Sequence, residues 1–179
     1  MLIVGPTGVG KTYLACALAQ AALRRGHTAL YMRAPRMLTE LQVARADGRL
    51  PKILAAWARI DVLVVDDLAL QPLTPVQGSE LLEVIEDRAQ RRSTIVTSQL
   101  PVAQWHDSLG DATIADAILD RLVHNAHRLE LRGDSLRRPQ RPGALAGDTA
   151  AAGPGGPDQA ASGARTAKRA STKAQDDRK

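Results

Sequence analysis

Eight residues near the start of the chain have the types and the spacing needed to bind a phosphate group. They follow the pattern GxxxxGK(S/T), in which glycines let several backbone N–H groups converge on one anion. The lysine brings a positive charge to the β- and γ-phosphates, and the last hydroxyl can ligate Mg²⁺. The eight positions are Gly5, Pro6, Thr7, Gly8, Val9, Gly10, Lys11 and Thr12. This motif predicts a P-loop.

Two adjacent carboxylates form the second chemical feature. Asp66 and Asp67 directly follow the apolar run at residues 62–65, which is typical of a parallel strand buried on both faces. Ligands of open α/β sheets bind at the carboxyl ends of the strands. One carboxylate there can hold Mg²⁺ and the other can polarise an attacking water. The acid pair therefore predicts catalysis beside the P-loop.

A third polar group ends another strand candidate. The β-rich run at residues 93–97 terminates in Ser98 and Gln99. A polar side chain at such a strand end could contact the γ-phosphate or the attacking water. The alternative is that it only satisfies the end of the strand, and the pattern of residues leaves both interpretations open.

These groups need a scaffold of alternating strands and helices. Apolar residues at helical spacing follow the P-loop over residues 11–25, which predicts a helix whose N-terminus faces the phosphates. Thr74 and Gln77 form a capping-box start, and Asp111 is a candidate N-cap. Strands are predicted at residues 2–4, 28–32, 62–65, 93–97 and 128–131, the last as a half-exposed edge. The fold class is α/β, a parallel sheet flanked by helices.

Composition argues against a disulfide-stabilised protein and against a membrane-spanning protein. Cys16 is the only cysteine, so no disulfide framework can form within the chain, and its apolar neighbours predict a small core residue. No apolar run approaches the roughly 18 residues of a membrane-spanning helix. We therefore expect a cytoplasmic protein that makes no use of a membrane.

The chain divides by composition near residue 138. Residues 1–138 carry 17 Lys and Arg against 15 Asp and Glu, and residues 139–179 carry 7 against 4. The second segment is rich in Pro, Gly and Ala, and Leu145 is its only large apolar residue. We predict a folded domain over residues 1–138 and a disordered, weakly basic tail over 139–179. Weak contact of the tail with nucleic acid and simple solvation are both open.

A further group of basic residues lies between the strand candidates at residues 28–32 and 62–65. It suggests either a basic ridge that faces nucleic acid or ordinary solvated helix faces. The residues are Arg33, Arg36, Arg45, Arg49, Lys52 and Arg59.

Five segments in order resemble one family: GPTGVGKT, LVVDDLA, STIVTSQLP, DAILDRLVHNAHRLEL and GDSLRR. Together they are similar to the IstB-like ATPases, the transposition helper proteins of bacterial insertion sequences. These are relatives of the DnaC helicase loaders in the AAA+ superfamily. The resemblance covers roughly residues 2–138, and the segments at 93–101 and 116–131 narrow it from P-loop NTPases in general to this family.

The resemblance implies roles for the site residues. Asp66 would be the acid on the Mg²⁺ side, with Thr12, and Asp67 would sit where many relatives have Glu as the water-activating base. Gln99 would occupy the first sensor position. Arg121 would be an arginine finger that reaches the ATP of a neighbouring subunit.

The same family pattern suggests a second sensor in the closing GDSLRR segment. Arg137 is the candidate for that role, and the adjacent Arg138 is a rival that the sequence cannot exclude.

The resemblance also implies an AAA+ type P-loop NTPase that binds ATP and Mg²⁺, hydrolyses ATP, forms a homo-oligomer on double-stranded DNA and assists a transposase. A helicase loader, a small-molecule kinase and a remnant that only binds nucleotide remain alternatives. Family members carry an N-terminal helical domain, whereas only four residues precede Gly5 here. An N-terminally truncated AAA+ domain is therefore expected.

Overall fold

A computed structural model of the chain describes residues 1–124 and 126–136. The strands in this part are β1 (Leu2–Val4), β2 (Ala29–Arg33), β3 (Val62–Asp66), β4 (Ser93–Ser98) and β5 (Arg128–Glu130). The α-helices are α1 (Lys11–Arg24), α2 (Ala34–Ala46), α3 (Leu50–Arg59), α4 (Pro75–Arg88) and α5 (Ala112–Val123). Two short 3₁₀ turns at Val102–Gln104 and His106–Ser108 join β4 to α5.

The strands form one sheet in the order β2-β3-β4-β1-β5, and every neighbouring pair is parallel. The first crossover runs from β1 outward to β2, and the next three run back in the opposite direction. Because such crossovers are right-handed, a reversal of direction moves the connecting helix to the other face of the sheet. Helix α1 should therefore lie on one face, and the later helices on the other.

The two apolar clusters of the described part follow that division. The smaller cluster joins Ile3, Val64 and Ile95 of the sheet to Ala15 and Ala19 of α1. The larger cluster joins the opposite side chains of the strands to α2–α5 and to Trp105, which is fully buried. We call the two sides the α1 face and the four-helix face.

Local sequence explains where the helices begin. The Thr74 side chain accepts a hydrogen bond from the Gln77 N–H (3.3 Å) while Gln77 Oε1 accepts from the Thr74 N–H (3.0 Å), so the predicted capping box is present. Asp111 Oδ1 accepts from Thr113 N–H at 2.9 Å and caps α5 as expected. Both caps fix elements that lie on the four-helix face.

Two expectations from the sequence are wrong. Cys16 is exposed rather than in the core, because the buried stripe of α1 runs through Ala15 and Ala19 and Cys16 lies beside it. Strand β5 is an edge strand as predicted, but all three of its residues are exposed instead of alternating. Leu131, just after the strand, is partly buried and packs on the smaller cluster.

Some expectations fall beyond the described residues. The tail at 139–179, the domain boundary at residue 138, and the sensor candidates Arg137 and Arg138 all lie outside that part. In the part that is described, no helix combines the length and the apolar character needed to cross a membrane.

Candidate nucleotide-binding site

The P-loop connects β1 to α1 at the carboxyl end of the sheet. Gly10 is the N-cap of α1 with φ 98°, a left-handed conformation that glycine adopts without strain, and no side chain caps the first turn. The N–H groups of the first turn of a helix are the usual partners of an anion at its N-terminus. The Lys11 Nζ lies over the loop and donates to the carbonyl oxygens of Gly5 (2.8 Å) and Pro6 (2.9 Å).

Hydroxyl groups surround the buried carboxylate of Asp66, which is 2 % exposed. Thr12 Oγ1 lies 3.0 Å from each carboxylate oxygen, and the Tyr31 hydroxyl donates to Oδ2 at 2.7 Å. The Thr97 hydroxyl donates to Oδ1. Burial and the hydrogen bond to Asp66 raise the pKa of Tyr31, so this phenol keeps its proton. The carboxylate thus receives hydrogen bonds from neutral hydroxyl groups on three different elements.

Strand periodicity explains why these groups meet. Asp66 is two residues beyond Val64 on β3, so both side chains point to the α1 face. Thr97 is two residues beyond Ile95 on β4, and Ile95 pairs with Val64 across the strands. Tyr31 of β2 also pairs with Val64. The three strands therefore present their polar ends on one face, under the N-terminus of α1.

The backbone just after β3 turns sharply. Asp67 and Ala69 have φ values of 58° and 60°, in the left-handed region that side chains other than glycine rarely occupy. The N–H of Asp67 donates to Thr97 Oγ1 at 3.0 Å, and the N–H of Leu68 donates to the Thr97 carbonyl at 2.9 Å. Arg33 forms an ion pair with Asp67 at 2.9 Å, and this hydrogen bond raises the pKa of Arg33.

A cleft of about 410 Å³ opens beside the P-loop, and we call it the P-loop cleft. Asp67 and Gln99 both line it, together with six residues of the loop and the start of α1. Gln99 Oε1 accepts a hydrogen bond from the Thr7 hydroxyl at 2.6 Å. The structure therefore brings the predicted loop, Asp67 and Gln99 to one cleft, with Asp66 buried under Thr12.

The segment after β5 crosses the loop. The N–H of Leu136 donates to the Gly8 carbonyl at 3.0 Å, and a Cβ added to Gly8 would lie 2.0 Å from Ser135 Oγ. Gly8 also has φ 88°, so this position requires glycine for its backbone conformation and for the approach of Ser135. Leu136 lines the P-loop cleft and leads directly into Arg137, outside the described residues.

Arg121 lies far from this arrangement. It is on the last turn of α5, forms an ion pair with Glu86 of α4 at 2.6 Å, and donates to the Ala117 carbonyl at 2.9 Å. It lines a separate cavity of about 580 Å³ next to Met1 and Thr94, at the amino end of the sheet. Arg121 is thus the one predicted catalytic residue of the described part that does not reach the P-loop cleft.

The donor chemistry fits Mg²⁺. Thr12 and Asp66 present a hydroxyl and a carboxylate, the hard oxygen ligands that Mg²⁺ prefers. Among the described residues, no group of three or more His, Cys, Asp and Glu side chains could hold a metal alone. Mg²⁺ usually retains several waters and binds through one or two protein oxygens plus substrate phosphates. The donor set therefore fits a metal that arrives with a nucleotide.

Half of the basic residues that suggested a nucleic-acid ridge are paired with acids. Besides Arg33 with Asp67, Arg45 contacts the buried Glu80 at 2.7 Å. Arg49 contacts Asp47 at 2.8 Å. These pairs reduce the positive potential that the basic composition of this region suggests.

Sequence reasoning missed Tyr31 and Thr97 as partners of Asp66, and Arg33 as a partner of Asp67. Their only mark in the sequence is a polar residue at every second position near the end of an apolar strand. That pattern identifies a face of the sheet, but not which strands are neighbours.

Comparison with known proteins gives a consistent result. A family model described as IstB-like ATP binding protein matches residues 1–144. The putative insertion sequence ATP-binding protein y4pL of Sinorhizobium fredii is 52 % identical over 141 residues, which are 79 % of this chain and 58 % of that protein. The insertion sequence IS21 putative ATP-binding protein of Pseudomonas aeruginosa is 35 % identical over 76 % of this chain and 52 % of its own length. The chain spans somewhat more than half the length of these curated relatives.

Solved structures with the same fold include a DnaC helicase loader, with a TM-score of 0.63 and 25 % identity over 74 % of this chain and 77 % of that one. AMPPCP-bound DnaA from Aquifex aeolicus has a TM-score of 0.63 and 19 % identity, and covers 75 % of this chain and 40 % of that one. The second similarity is one of fold alone. Both support a P-loop NTPase architecture of the AAA+ type.

Proposed function

The chain belongs to the IstB-like ATP-binding protein family, and from that premise we propose that it binds and hydrolyses ATP with Mg²⁺ at the P-loop cleft. One observation carries this proposal. The loop, the Thr12–Asp66 oxygen pair, Asp67 and Gln99 lie around one opening, although they come from three separate parts of the sequence. These groups would not be expected to lie together beside a glycine-rich turn that does not bind nucleotide.

The residues suggest a division of labour in hydrolysis. Bound Mg²⁺, held by Thr12 and Asp66, would neutralise charge on the phosphate oxygens. Lys11 and the N–H groups of the first turn of α1 bind the β- and γ-phosphates. Gln99 orients the attacking water, and Asp67 accepts its proton. The water oxygen bonds to the γ-phosphorus, the bond from that phosphorus to the β–γ bridging oxygen breaks, and ADP and phosphate are released.

The position of Arg121 supports a site that two subunits share. Its side chain is 32 % exposed and lies at the amino end of the sheet, away from its own P-loop cleft. An arginine there can act only on the ATP of another copy of the chain, so a homo-oligomer is part of the proposal. Arg137, with Arg138 as its rival, would be the second sensor, because Leu136 already contacts the P-loop.

The wider biological role comes from the relatives. Insertion-sequence ATP-binding proteins match this chain over most of its length, so we assign it the role of a helper that assembles on double-stranded DNA and assists a transposase in the cytoplasm. The domain predicted over residues 1–138 carries the ATPase chemistry in this proposal.

The ATPase rate with and without duplex DNA tests this function. We expect slow release of phosphate by the chain alone, and at least about tenfold stimulation when duplex DNA promotes assembly. A low rate that DNA does not change would overturn the proposal and leave only nucleotide binding. Omission of Mg²⁺ is the matched control, since both rates should then fall to background.

A helicase loader is the second candidate, because the DnaC loader shares the fold at 25 % identity. The chemistry is the same and the partner differs. Co-purification of the chain with a purified transposase or with a purified replicative helicase separates the two roles.

A further inference from the structure

We propose that Thr97 is a positioning residue that holds both acids of the site through a single hydroxyl group. The inference rests on the proposed function, since that function assigns Asp66 to Mg²⁺ and Asp67 to the attacking water. Thr97 itself is fully buried (0 % exposed), so its effect on the reaction passes through these two residues.

The hydrogen bonds of Thr97 leave no ambiguity about which group donates. A threonine hydroxyl has one hydrogen and two lone pairs. The backbone N–H of Asp67 can only donate, so Thr97 Oγ1 accepts that bond, at 3.0 Å. The hydrogen of the hydroxyl then goes to Asp66 Oδ1, which as a carboxylate oxygen only accepts. One oxygen atom therefore joins the side chain of the first acid to the backbone of the second.

A third bond extends this attachment. The carbonyl of Thr97 accepts the N–H of Leu68 at 2.9 Å, so three consecutive residues of the turn are bound to one residue of β4. This turn contains Asp67 in the left-handed conformation, with φ 58°. Such a conformation is strained and persists only where neighbouring contacts hold it. Thr97 supplies those contacts from a strand that is paired with a neighbouring strand on each side.

The choice of threonine also has a physical reason. A β-branched side chain on a strand has few accessible χ1 rotamers, so the hydroxyl is held in one direction. Tyr31 donates to the same carboxylate at 2.7 Å, and in the described part of the chain its hydroxyl bonds to Asp66 and not to the backbone of Asp67. Removal of each hydroxyl in turn therefore distinguishes the loss of a hydrogen bond to Asp66 from the loss of the bond with the Asp67 N–H.

The first measurement needs neither nucleotide nor metal. In the full chain labelled with ¹⁵N, the exchange of the Asp67 N–H with solvent is followed by NMR, with the Val64 N–H of β3 as an internal reference. In the wild type we expect the Asp67 amide to be protected. Thr97→Val keeps the shape of the side chain and should speed that exchange about tenfold relative to Val64, whereas Thr97→Ser and Tyr31→Phe should not.

The second measurement is steady-state hydrolysis. Thr97→Val should lower kcat at least about tenfold with KM within about threefold of wild type, because misplaced acids impair the transition state more than nucleotide binding. Thr97→Ser should restore kcat to within about threefold of wild type, since it retains the hydroxyl. A purely structural role would predict loss of stability in both variants without this rescue.

The outcomes separate this inference from the proposed function. If the wild type does not hydrolyse ATP, the proposed function fails, and the amide exchange still tests Thr97. An unprotected Asp67 amide in the wild type overturns the role of Thr97, whether or not any variant folds. Equal exchange in Thr97→Val and wild type, or equal kcat in these two proteins, also overturns it.

Discussion

Two buried charges lie at opposite ends of the sheet, and both form hydrogen bonds with neutral groups. At the carboxyl end, the Asp66 carboxylate accepts hydrogen bonds from three hydroxyls. At the amino end, the Arg88 guanidinium is 1 % exposed and donates to the carbonyls of Trp57, Ile60 (2.8 Å) and Ser93 (2.6 Å). Burial lowers the pKa of Arg88 to about 10, so it remains charged at neutral pH.

The difference between the two charges lies in what surrounds them. Arg88 of α4 joins the end of α3 to the start of β4, so these bonds hold elements of the fold together. Asp66 lies beneath an open cleft, beside Thr12 at the uncapped N-terminus of α1 and beside a turn with two strained residues. Burial of a charge is thus not by itself evidence for function. Backbone strain and an open cleft next to the same charge are evidence for function.

The largest effect on the rate of hydrolysis is expected for Arg121→Ala. Arg121 lines the same cavity as Arg88, but it is partly exposed and forms an ion pair with Glu86. DNA-stimulated hydrolysis should fall about 10³-fold, with ATP affinity unchanged, since arginine fingers stabilise only the transition state. Rates at saturating ATP with duplex DNA provide the measurement.

Glu86→Gln is the matched control, because it breaks the same ion pair and retains the arginine. Equal losses of rate in both variants would mean that Arg121 is structural, like Arg88, and the contrast between the two arginines would disappear.

Arg88→Met should be the most destabilising of these substitutions. It leaves three carbonyls without a donor in a buried place, so the free energy of unfolding should fall by roughly 3 kcal/mol. ATP affinity of the folded fraction should not change. Urea denaturation gives the stability, with Arg92→Met as control, since Arg92 forms only the exposed pair with Asp61. A loss below about 1 kcal/mol would contradict this role.

Asp66→Asn should show the opposite pattern to Arg88→Met: the stability is retained and nucleotide binding with Mg²⁺ is weakened. The amide oxygen can accept from the Thr97 hydroxyl while the amide NH₂ donates to the Tyr31 hydroxyl oxygen, so the unfolding free energy should stay within about 1 kcal/mol of wild type. The gain in ATP affinity that Mg²⁺ provides should fall about tenfold or more, because a carboxylate ligand is lost. Titration of a fluorescent ATP analogue with and without Mg²⁺ measures this gain, and Asp61→Asn at the start of β3 serves as control. An unchanged gain would remove Asp66 from the metal site.

Much of the site was predictable because it depends on local pattern. The P-loop, the acids after β3 and Gln99 after β4 are all read from short segments, and parallel strands bring their ends to one edge of the sheet. The caps at Thr74 and Asp111 are equally local.

What could not be predicted depends on strand order and on which helix covers each face. Thr97 and Tyr31 reach Asp66 because β4 and β2 flank β3, and periodicity within one strand carries no information about its neighbours. Cys16 is exposed because a single helix covers the α1 face, so only a narrow stripe of that helix is buried. The burial of Arg88 likewise follows from long-range packing that no short segment encodes.

Binding of ATP by the P-loop is the central claim, and equilibrium titration of a fluorescent ATP analogue with Mg²⁺ into wild type, Lys11→Ala and Lys52→Ala tests it most directly. Lys11 is buried at the loop, and Lys52 is an exposed lysine of α3. We expect saturable binding by wild type and Lys52→Ala, and an affinity at least about 100-fold weaker for Lys11→Ala, because the charge-assisted bonds to phosphate are lost. Equal affinities of wild type and folded Lys11→Ala would contradict the account.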